Sequence, residues 1–481
     1  MNYRIISHTV GRILQLEAAL LLLPLFVSLL YRETDNVIAF LISAAAALAV
    51  GLLLTYVLGK DDRLLFAREG FAIVALAWLA MSAVGALPYV ISGAIPSYAD
   101  AFFETVSGFT TTSATILNDV ENLSNGIIFW RSFTHWLGGM GVLVFIMAIF
   151  PQESGRSIHI MRAEMPGPTV GKLVPKLKET ARILYLIYIG ITIVEAILLF
   201  LGGMSPFESF VHAFGTAGTS GFAIKADGLA SYAPHLQWMV MVFMLIGGIN
   251  FNLIYLMLIG HFRPAVKSTE LWVYLIIIVV AGVAVTFNVM PIYGSFWESL
   301  RQAFFHVISI VTTTGYSISD YNEWPLFSKT LLVVLMFVGG CAGSTSGGIK
   351  ISRFILLIKA VFRDIKQMLH PTAVSGVRFD GKKVDDKTIH GVSTYFAFYF
   401  IIFFVILMLI SFEPFDFETN FTAVSACLNN IGPGFGAVGP LASFSAYSVP
   451  AKFLLSFAML LGRLEIFPIL LLLMPSFWAR K

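Results

Sequence analysis

Long apolar segments alternate with short polar ones along the whole chain. A helix needs about 20 apolar residues to cross a bilayer, and the hydrophobic pattern predicts about ten such spans. They lie at residues 13–30, 37–58, 71–91, 127–150, 184–201, 238–258, 271–290, 329–361 with an interruption, 395–410 and 451–474. The pattern therefore predicts an all-α polytopic membrane protein.

Polar clusters rich in threonine, serine, glycine or asparagine separate pairs of these spans and recur roughly every 100 residues. The clusters are residues 110–114, 217–222, 312–316 and 429–434, and short aromatic and acidic segments precede them at 101–107, 207–210, 296–300 and 417–421. These segments are too short to span a membrane and are predicted to be pore helices. Since non-helical backbone at membrane depth must be buried in protein or face water, the four clusters indicate one shared aqueous axis.

An acidic residue marks each short segment: Glu104, Glu208, Glu298 and Glu418. We predict that each lies in the first turn of its helix, where a carboxylate is favoured. The negative end of each helix dipole then points at the polar cluster and favours a cation there. Any single cluster is compatible with a surface loop, but four in register indicate a repeated unit and a fourfold ring of backbone carbonyls.

Composition supports the membrane class and excludes several functions. The chain has 57% hydrophobic and 12% charged residues, whereas soluble domains carry about 25% charged residues. The net charge of +3 does not suggest nucleic-acid binding. Cys341 and Cys427 lie in apolar surroundings and indicate free thiols rather than a metal site. No metalloprotease or nucleotide-binding motif is found, so the sequence predicts neither an enzyme nor a cofactor on this chain.

Basic residues predict the orientation in the membrane. They concentrate in two connectors, residues 156–182 and 363–387, whereas the cluster-bearing connectors contain almost none. Cytoplasmic loops carry the excess of Lys and Arg, so we expect the clusters to face outward and both termini to be cytoplasmic.

Four sequence strings carry a family resemblance: MPGP at 165–168, GGCAGSTSGGIK at 339–350, ACLNNIG at 426–432 and LGRLEI at 461–466. They resemble those of the Trk-type potassium uptake proteins, the TrkH/TrkG branch of the superfamily that also holds Ktr pores and plant HKT transporters. The resemblance implies K⁺ transport across a bacterial inner membrane by a homodimer, with a cytoplasmic TrkA-type ring that binds nucleotides. It also implies two extra helices in residues 1–65, followed by pore repeats at 66–155, 178–262, 268–366 and 386–481.

The same resemblance assigns the ion filter to one position in each cluster and its preceding residues. These are Ser113 after Thr111 and Thr112, Gly221 after Ser220, Gly315 after Thr314, and Gly432 after Ile431. The family usually has glycine at the first position, and plant relatives with serine there conduct Na⁺. We therefore expect weaker discrimination of K⁺ from Na⁺, with a harmless Ser113 as the alternative.

The segment 339–350 interrupts the eighth span and is predicted to be a gate. It contains Gly339, Gly340, Gly343, Gly347 and Gly348, and it ends at Lys350. Each glycine costs a helix about 1 kcal/mol relative to alanine. The resemblance implies a movable intramembrane loop below the filter, and a small-residue helix-packing face is the alternative.

Arg463 is predicted near the middle of the last span, where an unpartnered charge costs at least about 2.5–3.5 kcal/mol. We expect it to face the pore as a barrier to cations, with or without Lys350; pairing with a neighbouring helix is the alternative. Glu465 would face another way on a continuous helix. An H⁺- or Na⁺-coupled symporter working by alternating access is the rival function, but the paired midplane carboxylates expected of it are not evident.

Overall fold

The computed structural model describes residues 1–56, 67–141, 177–370 and 376–478, and these residues are mostly helical. The β structure in this part of the chain is one antiparallel hairpin that pairs Arg378 with Lys383. Short 3₁₀ turns lie at Tyr321–Glu323, Gly436–Val438 and Phe444–Ala446. In chain order the elements are α1 (Tyr3–Leu20), α2 (Leu22–Leu30), α3 (Thr34–Tyr56), α4 (Ala67–Gly85), α5 (Leu87–Ile91), α6 (Tyr98–Phe109), α7 (Asn125–Gly139), α8 (Leu177–Leu201), α9 (Pro206–Gly218), α10 (Pro234–Gly247), α11 (Phe251–Leu258), α12 (Arg263–Lys267), α13 (Thr269–Tyr293), α14 (Phe296–Val311), α15 (Leu326–Met336), α16 (Ile351–Leu369), β1 (Arg378–Phe379), β2 (Lys382–Lys383), α17 (Asp386–Ile410), α18 (Phe417–Leu428), α19 (Val449–Arg463), α20 (Phe467–Leu473) and α21 (Pro475–Trp478).

Among the described residues, 6 helical segments are long and apolar enough to cross a membrane. They are Tyr3–Leu30, Thr34–Tyr56, Arg68–Ile91, Glu179–Leu201, Thr269–Tyr293 and Asp386–Ile410. The predicted all-α membrane class is confirmed. The predicted total of about ten spans stays a prediction, because residues 142–176 lie outside the described ranges.

The first span begins at Tyr3, so its predicted start near residue 13 was wrong. The side chain of Asn2 accepts hydrogen bonds from the first helical amides and caps the helix at this point. Glycines allow α1 and α3 to pack closely: a Cβ atom added to Gly11 would lie only 2.7 Å from the carbonyl oxygen of Gly51. Small residues at such crossings let membrane helices approach one another.

Breaks interrupt the second long helix of the second, third and fourth repeats. The predicted span 238–258 bends by 101° between α10 and α11. The predicted span 451–474 breaks between α19 and α20, where Glu465 and Ile466 have left-handed φ angles of 55° and 68°. Both spans were predicted to be continuous, and this was wrong. The sequence did not reveal the breaks because the apolar pattern is similar on the two sides of each one. Residues 142–150 of the predicted span 127–150 lie outside the described part.

The short helices α6, α9, α14 and α18 form a closed ring with the helices that follow them. Helix α7 packs on α9, α10 on α14, α15 on α18, and α19 on α6. An ion pair between Lys452 of α19 and Asp100 of α6, with an N–O distance of 2.6 Å, lies at the closing contact. This pseudo-fourfold ring agrees with the arrangement predicted from the four clusters, whereas the residue limits of the repeats stay predictions.

Glu33, in the link between α2 and α3, caps the start of α7. Its carboxylate accepts hydrogen bonds from the amides of Asn125 at 2.7 Å and Gly126 at 2.9 Å. The N-cap residue Ser124 makes no side-chain hydrogen bond to the helix. The N-terminal helices are therefore fastened to the first repeat through a charged cap.

We expect Glu33→Ala to destabilise the protein by about 1–2 kcal/mol, since it removes this cap. Glu323→Ala, at an exposed glutamate, is the control and should stay within about 0.5 kcal/mol of the native protein. Thermal unfolding in detergent measures both variants. Equal midpoints for the two would contradict the capping role.

Candidate ion filter and gate

The four polar clusters meet at one place in the structure. At three filter positions an added Cβ atom would lie too close to a carbonyl oxygen of another cluster. A Cβ atom on Gly221 would lie 2.7 Å from the carbonyl oxygen of Thr314, and one on Gly432 would lie 2.6 Å from that of Thr112. A Cβ atom on Gly315 would collide with the carbonyl oxygen of Ile431. The close approach of the four backbones therefore excludes side chains at three of the predicted filter positions. The structure brings the predicted filter residues together, and their role in binding ions stays a prediction.

All four short helices end in the same backbone turn. The amides of Thr112, Ser220, Thr314 and Ile431 donate to the carbonyl oxygens five residues earlier, at 2.9, 2.9, 2.8 and 2.9 Å. The residues just before them, Thr111, Thr219, Thr313 and Asn430, have left-handed φ angles of 58°, 53°, 55° and 56°. This is the Schellman geometry, which usually places glycine at the left-handed position. Because β-branched residues rarely adopt it, the strain at three threonines indicates a functional constraint.

The hydroxyl of Ser113 lies among carbonyl oxygens of the first, third and fourth clusters. Its hydroxyl oxygen is 2.6 Å from the carbonyl oxygen of Thr112, 3.3 Å from that of Thr314 and 3.2 Å from that of Ile431. Its φ of 60° is left-handed, as at Gly315 and Gly432. A hydroxyl can also coordinate a cation with its own oxygen. The first cluster thus adds a side-chain oxygen where the other three place only backbone.

An open cavity of about 170 Å³ lies on one side of the filter and is lined by Ser113, Gly221, Gly315 and Gly432 together with their connectors. The short helices direct the negative ends of their dipoles toward the filter. Acidic residues occupy their first turns, but in α6 this residue is Asp100. The prediction for Glu104 was wrong, because α6 begins at Tyr98, before the predicted segment 101–107, and Glu104 therefore lies beyond its first turn.

Asp416 is the N-cap residue of α18. Hydrogen bonds from the side chain and then the amide of Thr419 hold the pKa of this carboxyl below its usual value. The carboxylate therefore stays ionised at neutral pH, where it stabilises the N-terminal end of the helix.

The predicted gate segment 339–350 is a non-helical loop that touches the filter. The amide of Gly347 donates to Thr313 Oγ1 at 2.6 Å. Gly339 and Gly348, at the two ends of the loop, have left-handed φ angles of 73°, and an added Cβ atom on Gly339 would lie 3.1 Å from the Cα atom of Gly348. This segment is therefore not a small-residue packing face on a helix, which was the alternative.

The break in the second repeat receives this loop. The amide of Cys341 donates to the carbonyl oxygen of Gly248 at 2.9 Å, and that of Phe251 donates to the carbonyl oxygen of Gly343 at 3.0 Å. Asn250 caps α11 by accepting a hydrogen bond at 2.8 Å from an amide of its first turn. Sequence reasoning missed this break, although two glycines followed closely by an asparagine were an available signal.

Arg463 terminates α19 instead of lying in the middle of a continuous helix, so that expectation was wrong. Its guanidinium donates to the carbonyl oxygens of Gly138, of Gly139 at 2.7 Å and of Thr345 at 2.9 Å. Thr345 belongs to the loop, whereas the two glycines end α7. Arg463 therefore ties the loop to the first repeat.

Lys350 is buried and donates to the carbonyl oxygen of Ser346 within the loop. The amide of Ile351, the next residue, donates to the carbonyl oxygen of Gly340 at 3.2 Å. A second anchor was missed from the sequence: one carboxylate oxygen of Glu270 accepts from the amides of Ala342 at 2.7 Å and Ser352 at 3.0 Å. Both ends of the loop are thus held by the start of α13.

Glu465 lies beyond the end of α19 instead of on a continuous helix. Because the chain turns after Arg463, the Glu465 carboxylate reaches Arg353 of α16, with an N–O distance of 2.6 Å. The prediction assumed a continuous helix and therefore could not identify this partner, which is distant in the sequence.

The predicted basic connectors fall partly outside the described residues. Residues 156–176, with the string at 165–168, and residues 371–375 are outside these ranges. In the rest of the second connector, Lys382 and Lys383 form β2 and are exposed, as is Lys387.

Known proteins resemble this chain over its whole length. A family model for TrkH, described as a cation transport protein, matches residues 37–272 and 265–479. The Trk system potassium uptake protein TrkH of Salmonella typhimurium is 36% identical over 99% of this chain and 100% of its own. The protein TrkG of Escherichia coli, with the same description, is 33% identical over 99% of both chains.

Solved structures give the same result. The crystal structure of the potassium transporter TrkH from Vibrio parahaemolyticus superposes with a TM-score of 0.89, at 33% identity and complete coverage of both chains. These relatives are named as transport proteins, which agrees with the prediction that the chain is not an enzyme. The resemblance seen in the four sequence strings is confirmed, and the chain belongs to the TrkH family of cation transport proteins.

Proposed function

We propose that this protein takes up K⁺ through a channel-like pore. The convergence of the carbonyl oxygens of Thr112, Thr314 and Ile431 around the hydroxyl of Ser113 carries the proposal. Oxygen ligands arranged in this way can replace the hydration shell of a monovalent cation without a fixed negative charge that would retain it. The names of the similar potassium uptake proteins support K⁺ as the transported ion.

The gate in this proposal is the loop 339–350. Contacts of Gly347 with the filter and of Thr345 with Arg463 support its position on the ion path. Its left-handed glycines suit a segment that changes conformation, because they lack the side chains that restrict other residues. An ion enters the cytoplasm when the loop moves away from Thr313.

The functional unit is a homodimer in a bacterial inner membrane, with both termini cytoplasmic. A cytoplasmic ring of TrkA-type subunits binds the nucleotide and controls the loop. The concentration of basic residues in the connectors 156–182 and 363–387 supports this orientation and gives the ring a surface of complementary charge to recognise.

Ser113→Gly is expected to raise the K⁺/Na⁺ permeability ratio by about two- to tenfold, the equivalent of one hydrogen bond of ~0.5–1.5 kcal/mol. The change removes the hydroxyl from the axis and relieves a left-handed serine. Reversal potentials and isotope fluxes in liposomes measure the ratio. Ser231→Gly, at an exposed site in the second connector, is the control. If the native K⁺/Na⁺ permeability ratio is already high and Ser113→Gly leaves it unchanged, Ser113 is harmless. A native protein that shows no K⁺ flux would contradict the proposed function.

Replacing residues 343–347 with a short Gly/Ser linker should raise basal flux, because it removes the contact with Thr313. Arg463→Ala should raise flux at least about tenfold, since hydrogen bonds to a charged group contribute ~1.5–3 kcal/mol each. Arg463→Lys retains the charge and should have a smaller effect. Isotope flux without the ring measures all three variants. Native flux in a well-folded loop variant would contradict the gate assignment.

Charge reversal of Lys382, Lys383 and Lys387 should weaken ring binding and make the remaining binding less sensitive to salt. Arg32→Glu, at an exposed arginine in the link between α2 and α3, is the control. Pull-down with the purified ring at two salt concentrations measures the effect. Unchanged binding would remove this surface from the interface.

A further inference from the structure

A buried ion pair lies directly behind the filter of the first repeat. Arg131 Nε of α7 is 2.7 Å from Glu104 Oε1 of α6, and the two side chains are 3% and 0% exposed. The carboxylate also accepts hydrogen bonds from Thr115 Oγ1 at 2.9 Å and from the amide of Ile116 at 3.0 Å. Glu104 therefore fixes the backbone that follows Ser113.

The same arginine extends to the filter of the second repeat. Arg131 Nη1 donates to the carbonyl oxygen of Ala223 at 3.1 Å. Its guanidinium carbon lies 3.4 Å from the ring centre of Phe222, which follows Gly221. A planar guanidinium with several donors can make all of these contacts at once, which a lysine cannot. Arg131 thus connects the segments that leave two neighbouring filter strands.

The third and fourth repeats hold the corresponding backbone without a buried charge. Counting back equally from each filter residue, the position of Glu104 is occupied by His212, His306 and Ala423. His306 Nε2 accepts from the amide of Ile318 at 3.4 Å, as Glu104 does from the amide of Ile116. In the fourth repeat, Thr422 Oγ1 accepts from the amide of Phe435 at 2.9 Å.

A carboxylate at this position, paired with a buried arginine, therefore occurs only in the quadrant that carries Ser113. At this quadrant the filter strand has a side chain in place of glycine and adopts a left-handed φ of 60°. A residue that holds the strand against its neighbour limits how far the oxygens around the hydroxyl can move. Ion discrimination depends on the number and spacing of such oxygens.

We propose that Arg131 is a positioning residue that sets the spacing of the first and second filter strands and so determines discrimination between K⁺ and Na⁺. The proposal rests on the proposed function of the filter. Arg131 acts through Glu104, Phe222 and the carbonyl of Ala223 and does not itself contact the ion. A pair that served only to stabilise the fold would change the yield of protein and leave discrimination unaltered.

Arg131→Lys and Phe222→Leu separate the two roles. Lysine retains the charge opposite Glu104 but loses the planar contact with Phe222, whereas leucine leaves the ion pair intact. Each variant should lower the K⁺/Na⁺ permeability ratio in liposomes by roughly three- to tenfold. The double variant should have a permeability ratio no lower than that of the more severe single variant, because both substitutions remove the same contact between Arg131 and Phe222. Phe222→Leu also provides the test if Arg131→Lys yields little folded protein.

Arg301→Lys is the matched control, since Arg301 pairs with Glu298 at 2.6 Å near the start of α14, away from the filter. A second measurement, the thermal stabilisation of purified protein by K⁺ relative to Na⁺, reports ion preference without transport. Altered preference in the filter variants and an unchanged control would support the proposal. Native preference in both measurements for Arg131→Lys and Phe222→Leu would overturn it, whatever the native flux. Absence of K⁺ flux in the native protein would instead overturn the proposed function.

Discussion

Satisfying polar backbone groups inside the membrane is the constraint on which this structure depends. Each short helix stops at membrane depth, where an unpaired amide or carbonyl costs several kcal/mol. The four identical terminal turns solve part of this problem by pairing the amides of Thr112, Ser220, Thr314 and Ile431 within their own helices. The carbonyl oxygens of Thr112, Thr314 and Ile431 lie instead around the hydroxyl of Ser113.

The breaks in the second helices follow from the same constraint. At Gly248 and at Gly139, carbonyl oxygens freed by the end of a helix accept hydrogen bonds from Cys341 and Arg463. The loop 339–350 and the arginine thus pair with backbone that would otherwise be unsatisfied. Filter, breaks and loop are therefore one hydrogen-bonded assembly rather than separate features placed near one another.

The sequence was sufficient for the parts of the fold that repeat or that consist of uninterrupted apolar helices. It predicted the four clusters and the long spans, because both leave local patterns. It did not predict the break at Asn250 or the pairing of Glu465 with Arg353, because the pattern of apolar residues does not change where the chain turns inside the membrane. The link from Arg131 to Phe222 was missed for a similar reason: it joins two repeats, and no local spacing reports it.

The closing contact between α19 and α6 has a consequence for biosynthesis. Lys452 belongs to the last repeat and Asp100 to the first, so the ring of short helices is complete only when almost the whole chain has been inserted. A partly translated chain lacks the fourth cluster, with Asn430, Ile431 and Gly432, and so one side of the proposed filter. Carrying all four repeats on a single polypeptide therefore means that the proposed ion pathway is complete only at the end of synthesis, after the segments that close the ring have left the ribosome.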